Sequence, residues 1–403
     1  MQPLEGKNVV LGVTGGIAVY KACDLVSRLR KKNIEVRVIM TEHACEFVQP
    51  LTFEVLSNAR VVTDQFNRDF PWEVEHIALA KAADAFAVVP ATANFLAKAA
   101  NGIADDMLST TVLATRAPLV IAPAMNTAMY EHPATQQNIE TLRARGAQFV
   151  EPASGHLACG DSGKGKLADV EVIEEAVLSA LTVKDLAGKT VTVTAGPTRE
   201  ALDPVRFLSN HSTGKMGYAI ARCAVRRGAR VNLISGPVSL TPPQGVNLIP
   251  VTSACEMREA VLEALPQSDI VVKAAAVGDY LPAEYADNKI KKKNDDMSVS
   301  LVRNPDILAE IGTLRRDDQV ICGFSMETRD LLENSAKKLN AKNCDVIVAN
   351  NLKTKGAGFA GDTNVVTLLY RDGRVEPLEL MNKGDVADIL LDRLTALSAK
   401  QNV

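Results

Sequence analysis

A cysteine set among glycines is the first group in this chain whose surroundings imply chemistry. Cys159 lies in Ser154-Gly155-His156-Leu157-Ala158-Cys159-Gly160-Asp161-Ser162-Gly163-Lys164-Gly165. A buried, inert cysteine rarely has so many glycines around it, whereas a mobile flap carrying a thiol proton donor needs them. His156 and Cys159 have no further partners at metal spacing nearby, which argues against a metal centre. His76, in Glu75-His76-Ile77-Ala78-Leu79, reads on its own as a surface histidine near the start of an Ala-rich helix. Gly15-Gly16-Ile17-Ala18 suits a phosphate at a strand-to-helix turn, although a tight turn of this kind often needs glycine anyway. Thr41, Thr92 and Asn94 follow strand candidates and bring hydroxyl and amide groups to one crevice, as a flavin phosphate and ribityl chain require.

The second half has its own candidates. Ser209-Asn210-His211-Ser212-Thr213-Gly214-Lys215-Met216-Gly217 looks like a phosphate loop but is not a Walker A motif: the first glycine is missing and Met216 stands where Ser or Thr is needed. Ahead of the helical run Tyr218–Arg227, it reads either as an anion site at a helix N-terminus or as an ordinary helix start. Lys289-Ile290-Lys291-Lys292-Lys293 is a solvated charge run or, beside a nucleotide, a set of mobile cations for a triphosphate. Asp279-Tyr280 and Asn304-Pro305-Asp306-Ile307 carry no role that residue chemistry alone assigns. Neither half shows G-x-G-x-x-G after its first strand.

These residues must be positioned by two α/β units, because 403 residues exceed one ordinary hydrophobic core. Leu4–Leu11 and Leu186–Val193 each read as a short buried strand entering a glycine turn. In the first half a helix over Ile17–Lys31 and a strand over Glu35–Met40 complete a parallel βαβ unit. Strands over Ala85–Val89 and Leu119–Ala122 run into the loops Pro90–Asn94 and Pro123–Asn126, which should face one site beyond the strand ends. Val170–Lys184 is the closing helix and linker. In the second half strands are expected at Thr190–Thr194, Val231–Ile234, Ile270–Ala274, Val320–Phe324 and Val346–Ala349. A hairpin of Val365–Tyr370 and Val375–Leu378 turns at Asp372-Gly373, and Asp287–Asp296 reads as a mobile loop. The net charge of −3 provides no basic field for nucleic acid or a membrane surface. No apolar stretch reaches spanning length, and the N-terminus lacks a signal-peptide pattern. Seven scattered cysteines without a C-x-x-C pair imply a reducing compartment, so the expected place is the cytoplasm.

Taken in order, the motifs resemble those of the bacterial bifunctional phosphopantothenoylcysteine decarboxylase/phosphopantothenate–cysteine ligases, from about Lys7 to about Leu391. The first half carries the resemblance in Gly15–Ala18, the His76 segment, Pro90-Ala91-Thr92-Ala93-Asn94, Asn101-Gly102-Ile103-Ala104-Asp105-Asp106, Pro123-Ala124-Met125-Asn126 and Leu157-Ala158-Cys159-Gly160. The second half carries it in Thr194–Glu200, Asp203-Pro204-Val205-Arg206, Ser209–Gly217, Ala274–Tyr280, Lys289–Lys292, Asn304–Ile307 and Gly323-Phe324. Thr213 stands where the family commonly has Ser, and Gly278 where it commonly has Ala; neither change removes a reactive group.

The resemblance implies two Rossmann-like α/β domains: a flavodoxin-like, flavin-binding decarboxylase domain over 1–182, then a nucleotide-binding ligase domain over 186–403. It implies FMN in the first, and CTP with Mg²⁺ in the second. The ligase activates the 4′-phosphopantothenate carboxylate as an acyl-cytidylate, which the amine of L-cysteine then attacks. The decarboxylase converts the product to 4′-phosphopantetheine through a thioaldehyde, because simple loss of CO₂ would leave an unstabilised carbanion. By motif match, His76 is a base or orienting group, Asn126 grips the departing carboxylate, Cys159 protonates the enethiolate, and Met129 extends toward substrate. Gly15, Gly16, Ile17, Thr41, Thr92, Asn94 and Ser109 fall at flavin positions. Asn210 contacts the acyl-cytidylate and Lys289 assists its turnover. Ala275, Asp279, Lys289, Pro305, Asp306, Ile307, Leu308, Phe324, Lys338 and Lys342 fall at nucleotide positions, with Asp279 as the metal ligand. The family also implies a homo-oligomer, with trimers of the flavin half and dimers of the ligase half joining into a dodecamer.

Overall fold

The computed structural model describes residues 4–66, 74–156, 160, 162–291, 297–327, 330–351 and 361–401. The chain separates into two compact units, Met1–Thr182 and Val183–Val403.

The first unit runs β1 (Asn8–Val13), α1 (Val19–Arg30), β2 (Glu35–Met40), α2 (Glu42–Cys45), α3 (Pro50–Ser57), α4 (Glu75–Ala82), β3 (Ala85–Ala91) and α5 (Ala93–Asn101). It continues through α6 (Met107–Ala114), β4 (Leu119–Pro123), α7 (Thr127–Glu131), α8 (Pro133–Ala144), β5 (Gln148–Phe149), β6 (Ala153–His156), β7 (Ser162–Lys166) and α9 (Val170–Leu181). Five strands form one parallel sheet in the order β2-β1-β3-β4-β5. Helices cover both faces, so the inner strands β1, β3 and β4 are buried almost throughout, whereas the edge strand β2 still exposes Glu35 and Arg37. Val9, Leu11 and Val13 enter one core layer while Val10 enters the other. Each such side chain contributes about 1.5–3 kcal/mol by leaving water. The strand order reverses between β1 and β3, where an open sheet leaves a crevice at its carboxyl edge.

The second unit runs β8 (Thr190–Ala195), β9 (Arg199–Ala201), β10 (Phe207–Ser209), α10 (Lys215–Arg226), β11 (Arg230–Ser235), β12 (Val246–Pro250), α11 (Ala254–Ala264), β13 (Ile270–Lys273), β14 (Tyr280–Pro282) and β15 (Leu301–Arg303). It ends with α12 (Ile307–Leu314), β16 (Val320–Glu327), α13 (Leu331–Ala341), β17 (Val346–Asn351), β18 (Thr363–Asn364), β19 (Val366–Tyr370), β20 (Val375–Pro377), β21 (Met381–Asn382) and α14 (Lys383–Gln401). Its eight-stranded sheet has the order β12-β11-β8-β13-β16-β17-β19-β20. The first six strands are parallel, and the last two join antiparallel. Here the order reverses between β8 and β13. Helix α10 lies close against β8: a Cβ on Gly217 would stand 2.6 Å from Ala195 Cβ, so this motif glycine serves close packing.

The start of the second unit is fastened to its end. Arg227, only 6% exposed, pairs with Asp185 and with Asp392, the latter at 2.8 Å. Lys184 Nζ donates to the Arg226 carbonyl at 2.6 Å.

The expected strands and the hairpin at Asp372-Gly373 are present; the opening strands read from Leu4 and Leu186 start four residues later, at Asn8 and Thr190, β16 runs three residues further, to Glu327, and the others shift by a residue or two. Four small antiparallel pairs, β6–β7, β9–β10, β14–β15 and β18–β21, go beyond the sequence reading. Segments such as Ser162-Gly163-Lys164-Gly165-Lys166 have no apolar alternation, so pairing is imposed by the partner strand rather than by local pattern. Of the loop expected at Asp287–Asp296, residues 292–296 lie outside the described residues. Among the described residues, no helix is long and apolar enough to cross a membrane.

Candidate active sites in two clefts

The crevice of the first unit is built by a threonine that the sequence reading passed over. Thr14, buried just after β1, donates its hydroxyl to the Pro90 carbonyl at 2.8 Å and accepts the Thr92 N–H at 3.0 Å. The loops following β1 and β3 are thereby tied together at the point where the strand order reverses. Beside them opens a cleft of about 480 Å³. Gly15 is needed there for close approach, since a Cβ would stand 2.4 Å from His43 Cβ. No side chain caps α1: the Val19 N–H donates to the Gly16 carbonyl and the Lys21 N–H to the Ala18 carbonyl, and the glycine turn ahead of them borders the cleft. Ile17, Tyr20 and Met129 supply apolar wall, and Lys21 and Lys166 lie at its border.

Of the expected first-unit residues, Gly15, Gly16, Ile17, Thr92, Asn126 and Met129 line this cleft. Asn126 caps α7, its side-chain oxygen accepting the Ala128 N–H at 2.8 Å. Cys159 lies outside the described residues. The two strands that flank it, β6 and β7, reach the cleft through His156, Gly165 and Lys166. The Met125 N–H donates to the Gly165 carbonyl at 3.0 Å, which fixes β7 to the loop carrying Asn126. His76, Thr41, Asn94 and Ser109 are not in the cleft lining. His76 is half-buried on the first turn of α4, and Asn94 is exposed on α5. Thr41 caps α2. Ser109 closes a capping box with Asp106 and borders a separate depression near Arg145. Burial pushes the Asp106 carboxyl up, but the Ser109 N–H and Lys98 outweigh it and hold the group below its usual range.

The crevice of the second unit is a cleft of about 260 Å³ into which four lysines, Lys215, Lys273, Lys338 and Lys383, project from separate segments. The loop after β13 is held in place by side chains. Thr194 accepts the Ala275 N–H at 3.1 Å and Thr198 accepts the Gly278 N–H at 3.0 Å. Asn304 donates to the Gly278 carbonyl at 2.8 Å. Asn210 donates to the Ala276 carbonyl and accepts the Ser212 N–H at 2.9 Å, so it joins this loop to the turn that begins α10. Gly214 at that turn has φ +78°, a conformation that favours glycine. Lys273 ends β13 and is the most perturbed cation of the cleft. Burial, with Lys338 adding repulsion, lowers its ammonium from 10.5 to about 8. Lys383 is also lowered, first by burial and then by Lys215. Such mutual penalties are relieved when an anion enters.

Of the residues that the resemblance puts at nucleotide positions, Ala275, Asp279, Phe324 and Lys338 line this cleft. Lys338 Nζ donates to the Phe324 carbonyl at 3.1 Å. Lys289 is exposed and is not in the lining. Asp203, buried, accepts the N–H of the next residue, Ile290, at 3.1 Å. Asp306 caps α12 and pairs with Lys342, while Ile307 and Leu308 are core residues; none of these, nor Pro305, lines the cleft. Among the described residues, Asp279 is the only carboxylate in the lining, and no group of three or more His, Cys, Asp or Glu side chains is placed to hold a metal ion. The sequence reading missed Lys273, Lys383, Asn350 and Asn364. Lys273 sat at the end of a run read only as core strand, and the other three lay in segments without a motif.

The comparisons with known proteins fall into line with this division. The family model described as Flavoprotein matches residues 1–182, and the one described as DNA/pantothenate metabolism flavoprotein C-terminal domain matches residues 186–397. The Coenzyme A biosynthesis bifunctional protein CoaBC of Bacillus subtilis is 53% identical over 399 residues, 98% of either chain. Its namesakes in Haemophilus influenzae and Escherichia coli are 45% and 43% identical, covering 97% and 99% of this chain and 98% and 99% of their own. Among solved structures, the C-terminal domain of a CoaBC is 40% identical, with a TM-score of 0.47, over 54% of this chain and 99% of its own. A PPC decarboxylase complexed with pantothenoylaminoethenethiol is 29% identical, with a TM-score of 0.40, over 43% of this chain and 97% of its own. The near-complete coverage by relatives so similar, on top of two matched family models, makes this chain a member of the bifunctional coenzyme A biosynthesis family.

Proposed function

We propose that the second unit joins 4′-phosphopantothenate to L-cysteine at the expense of CTP, through an acyl-cytidylate, and that the first unit decarboxylates the product to 4′-phosphopantetheine. The observation that carries this reading is the pairing, in one chain, of a glycine-turned cleft suited to FMN with a lysine-lined cleft suited to a nucleoside triphosphate.

The first cleft fits FMN on its own geometry: Gly15-Gly16 leaves room at an uncapped helix start for a phosphate, and Ile17 and Met129 offer apolar wall to a flat ring. FMN, when bound, supplies two-electron redox chemistry that makes loss of CO₂ feasible. The chain's own residues bind and orient the substrate. Asn126 grips the carboxylate that leaves, Cys159 donates the proton to the enethiolate, and His76 serves as base or orienting group. Thr41, Asn94 and Ser109 are carried as flavin positions by family resemblance alone.

In the second unit the lysines neutralise phosphate charge and so raise the reactivity of a carboxylate toward it. Asn210 orders the turn beneath the acyl-cytidylate, and Lys289 assists transfer to the amine. Lys342 and Pro305–Leu308 are nucleotide positions by resemblance. Asp279 would be the residue to hold Mg²⁺, and the ion would supply charge neutralisation at the phosphates, since one or two carboxylates are the usual protein share of such a site. The enzyme works in the cytoplasm as a homo-oligomer. Product analysis after mixing the protein with phosphopantothenate, cysteine, CTP and Mg²⁺ tests the whole scheme. Pyrophosphate, CO₂ and phosphopantetheine in equal amounts are expected, and purified protein without flavin absorbance or CO₂ release would defeat the first half of it.

A further inference from the structure

One buried carboxylate of the second unit lines neither cleft. Asp203 lies in the turn between β9 and β10, and its side chain is fully shielded from solvent. One carboxylate oxygen accepts the Val205 N–H and the Arg206 N–H, each at 2.8 Å, which closes the turn. The other reaches out of the turn: it accepts the Ile290 N–H at 3.1 Å and pairs with the Arg206 guanidinium at 3.0 Å. That guanidinium donates in turn to the Ile290 carbonyl. Both backbone polar groups of Ile290 are therefore held by a single Asp–Arg pair. Upstream, the Ala286 N–H donates to the Leu202 carbonyl at 3.0 Å, so the chain around Lys289 is laid along this turn.

A turn of this kind needs only the first of those oxygens. An exposed, lysine-rich segment has water for its backbone groups and needs no buried charge to satisfy them. A buried ion pair is itself weak evidence for stability, because desolvation offsets its attraction. Its location supplies the reason. Ile290 follows Lys289, and among the described residues of 287–291 it alone has backbone hydrogen bonds to the rest of the protein. From the same turn β10 leads directly into Asn210, which is tied to the Ala276 carbonyl. One hairpin thus holds the backbone beside Lys289 and also Asn210, the two residues read above as acting on the acyl-cytidylate. We propose that Asp203 is a positioning residue for amide transfer: through Arg206 and Ile290 it sets where Lys289 stands relative to Asn210. The inference rests on the ligase reading above and adds the device that holds Lys289. Burial pushes the Asp203 carboxyl up, but the N–H groups of Val205, Ile290 and Arg206 outweigh it and hold the group below its usual range, so the clamp stays charged at neutral pH.

The test uses the full chain and follows the two half-reactions apart. Pyrophosphate released in one turnover from CTP and phosphopantothenate, before cysteine is added, reports activation. Amide formed once cysteine is added reports transfer. An amide side chain offers one acceptor oxygen where a carboxylate offers two, so Asp203→Asn keeps the turn and gives up Ile290. It is expected to slow transfer about tenfold, as loss of a hydrogen bond to a charged group does, with the pyrophosphate burst and the KM values for CTP and cysteine unchanged. In a Lys289→Gln background the same substitution is expected to slow transfer no further, because a residue that acts through Lys289 then has nothing left to position. A residue that merely supports the fold would weaken both half-reactions and would add its effect to that of Lys289→Gln. Either of those results overturns the proposal, as does wild-type transfer by Asp203→Asn. Should Asp203→Asn fail to fold, Asp203→Ser decides on the same readouts, since its hydroxyl still accepts a turn N–H but carries no charge for Arg206. Wild-type protein that forms no amide would instead defeat the ligase reading itself.

Discussion

The two clefts open at equivalent points of their sheets, where strand order reverses, yet they are made from different materials. In the first unit the wall is backbone and apolar side chain: Gly15, Gly16 and Ile17, with Thr14 holding the β1 and β3 loops together. In the second the wall is four ammonium groups drawn from positions 215, 273, 338 and 383. Topology decides where a ligand sits, and side chains decide which. A planar cofactor held for many turnovers is served by shape and backbone donors. A triphosphate, as proposed for the second cleft, is served by charge, at a cost in the empty protein consistent with the lowered Lys273 ammonium.

The largest effect that would separate the units belongs to Cys159. Cys159→Ser should lower phosphopantetheine formation about 10²–10⁴-fold, the usual weight of a positioned acid, while amide formation by the second unit stays at wild-type level. Complete turnover to phosphopantetheine by the variant would remove the thiol from the scheme. Next is Lys289→Gln, expected to slow amide formation about 10²-fold while a single-turnover burst of pyrophosphate survives. Parallel loss of both products would move Lys289 to the activation step, and no change would leave it a solvated surface lysine. Thr14→Val should act on the first unit only. With the crosslink between the β1 and β3 loops gone, flavin should dissociate about tenfold more readily, read from visible absorbance after dialysis, at a stability cost of about 1–3 kcal/mol. Equal flavin retention would show that the loops hold their positions without it.

The smallest predicted effect has an unusual sign. Below pH 8 both folded and unfolded chains hold the Lys273 proton, and the folded state bears the full cost of burying it. From about 8 up to 10.5 the folded state releases the proton while the unfolded chain keeps it, so stability is gained as pH rises. Lys273→Met should therefore stabilise the ligand-free protein at pH 7 by on the order of 1–3 kcal/mol in urea unfolding, with the gap shrinking by pH 10. The same variant should bind CTP more weakly. A variant less stable than wild type at pH 7 would show that the ammonium is paid back inside the empty cleft.

How much of this was legible depended on locality. Most parallel strands are short runs rich in Val, Ile, Leu and Ala, and the turns at Gly15 and Gly196 that follow the first strand of each sheet are marked by glycine, so both sheets and both first loops could be read from the chain itself. Residues whose role arises from distant neighbours could not. Lys273 is a charged residue ending an apolar strand, and its meaning appears only when the fold buries it and brings Lys338 near. Thr14 is one more small residue in a turn until Pro90 and Thr92 fold onto its hydroxyl. Asn350 has no motif at all; its distinction is an oxygen left unpaired by three strands that meet late in the sequence. The short pairs such as β6–β7 were missed because their glycines and lysines carry no periodic signal.

Arg227 has a consequence for anyone, or any genome, that would sever the two activities. Its guanidinium takes Asp185 on one side and Asp392 on the other, so the seam between the units is not a loose tether on its downstream side. A fragment begun at Leu186 discards Asp185, along with the Lys184 contact to the Arg226 carbonyl, and leaves a mostly buried cation with half its counter-charge. One begun at Val183 retains both. Modularity here is therefore asymmetric: three residues that look like connecting thread belong to the second module, and the clean place to part the chain is directly after Thr182.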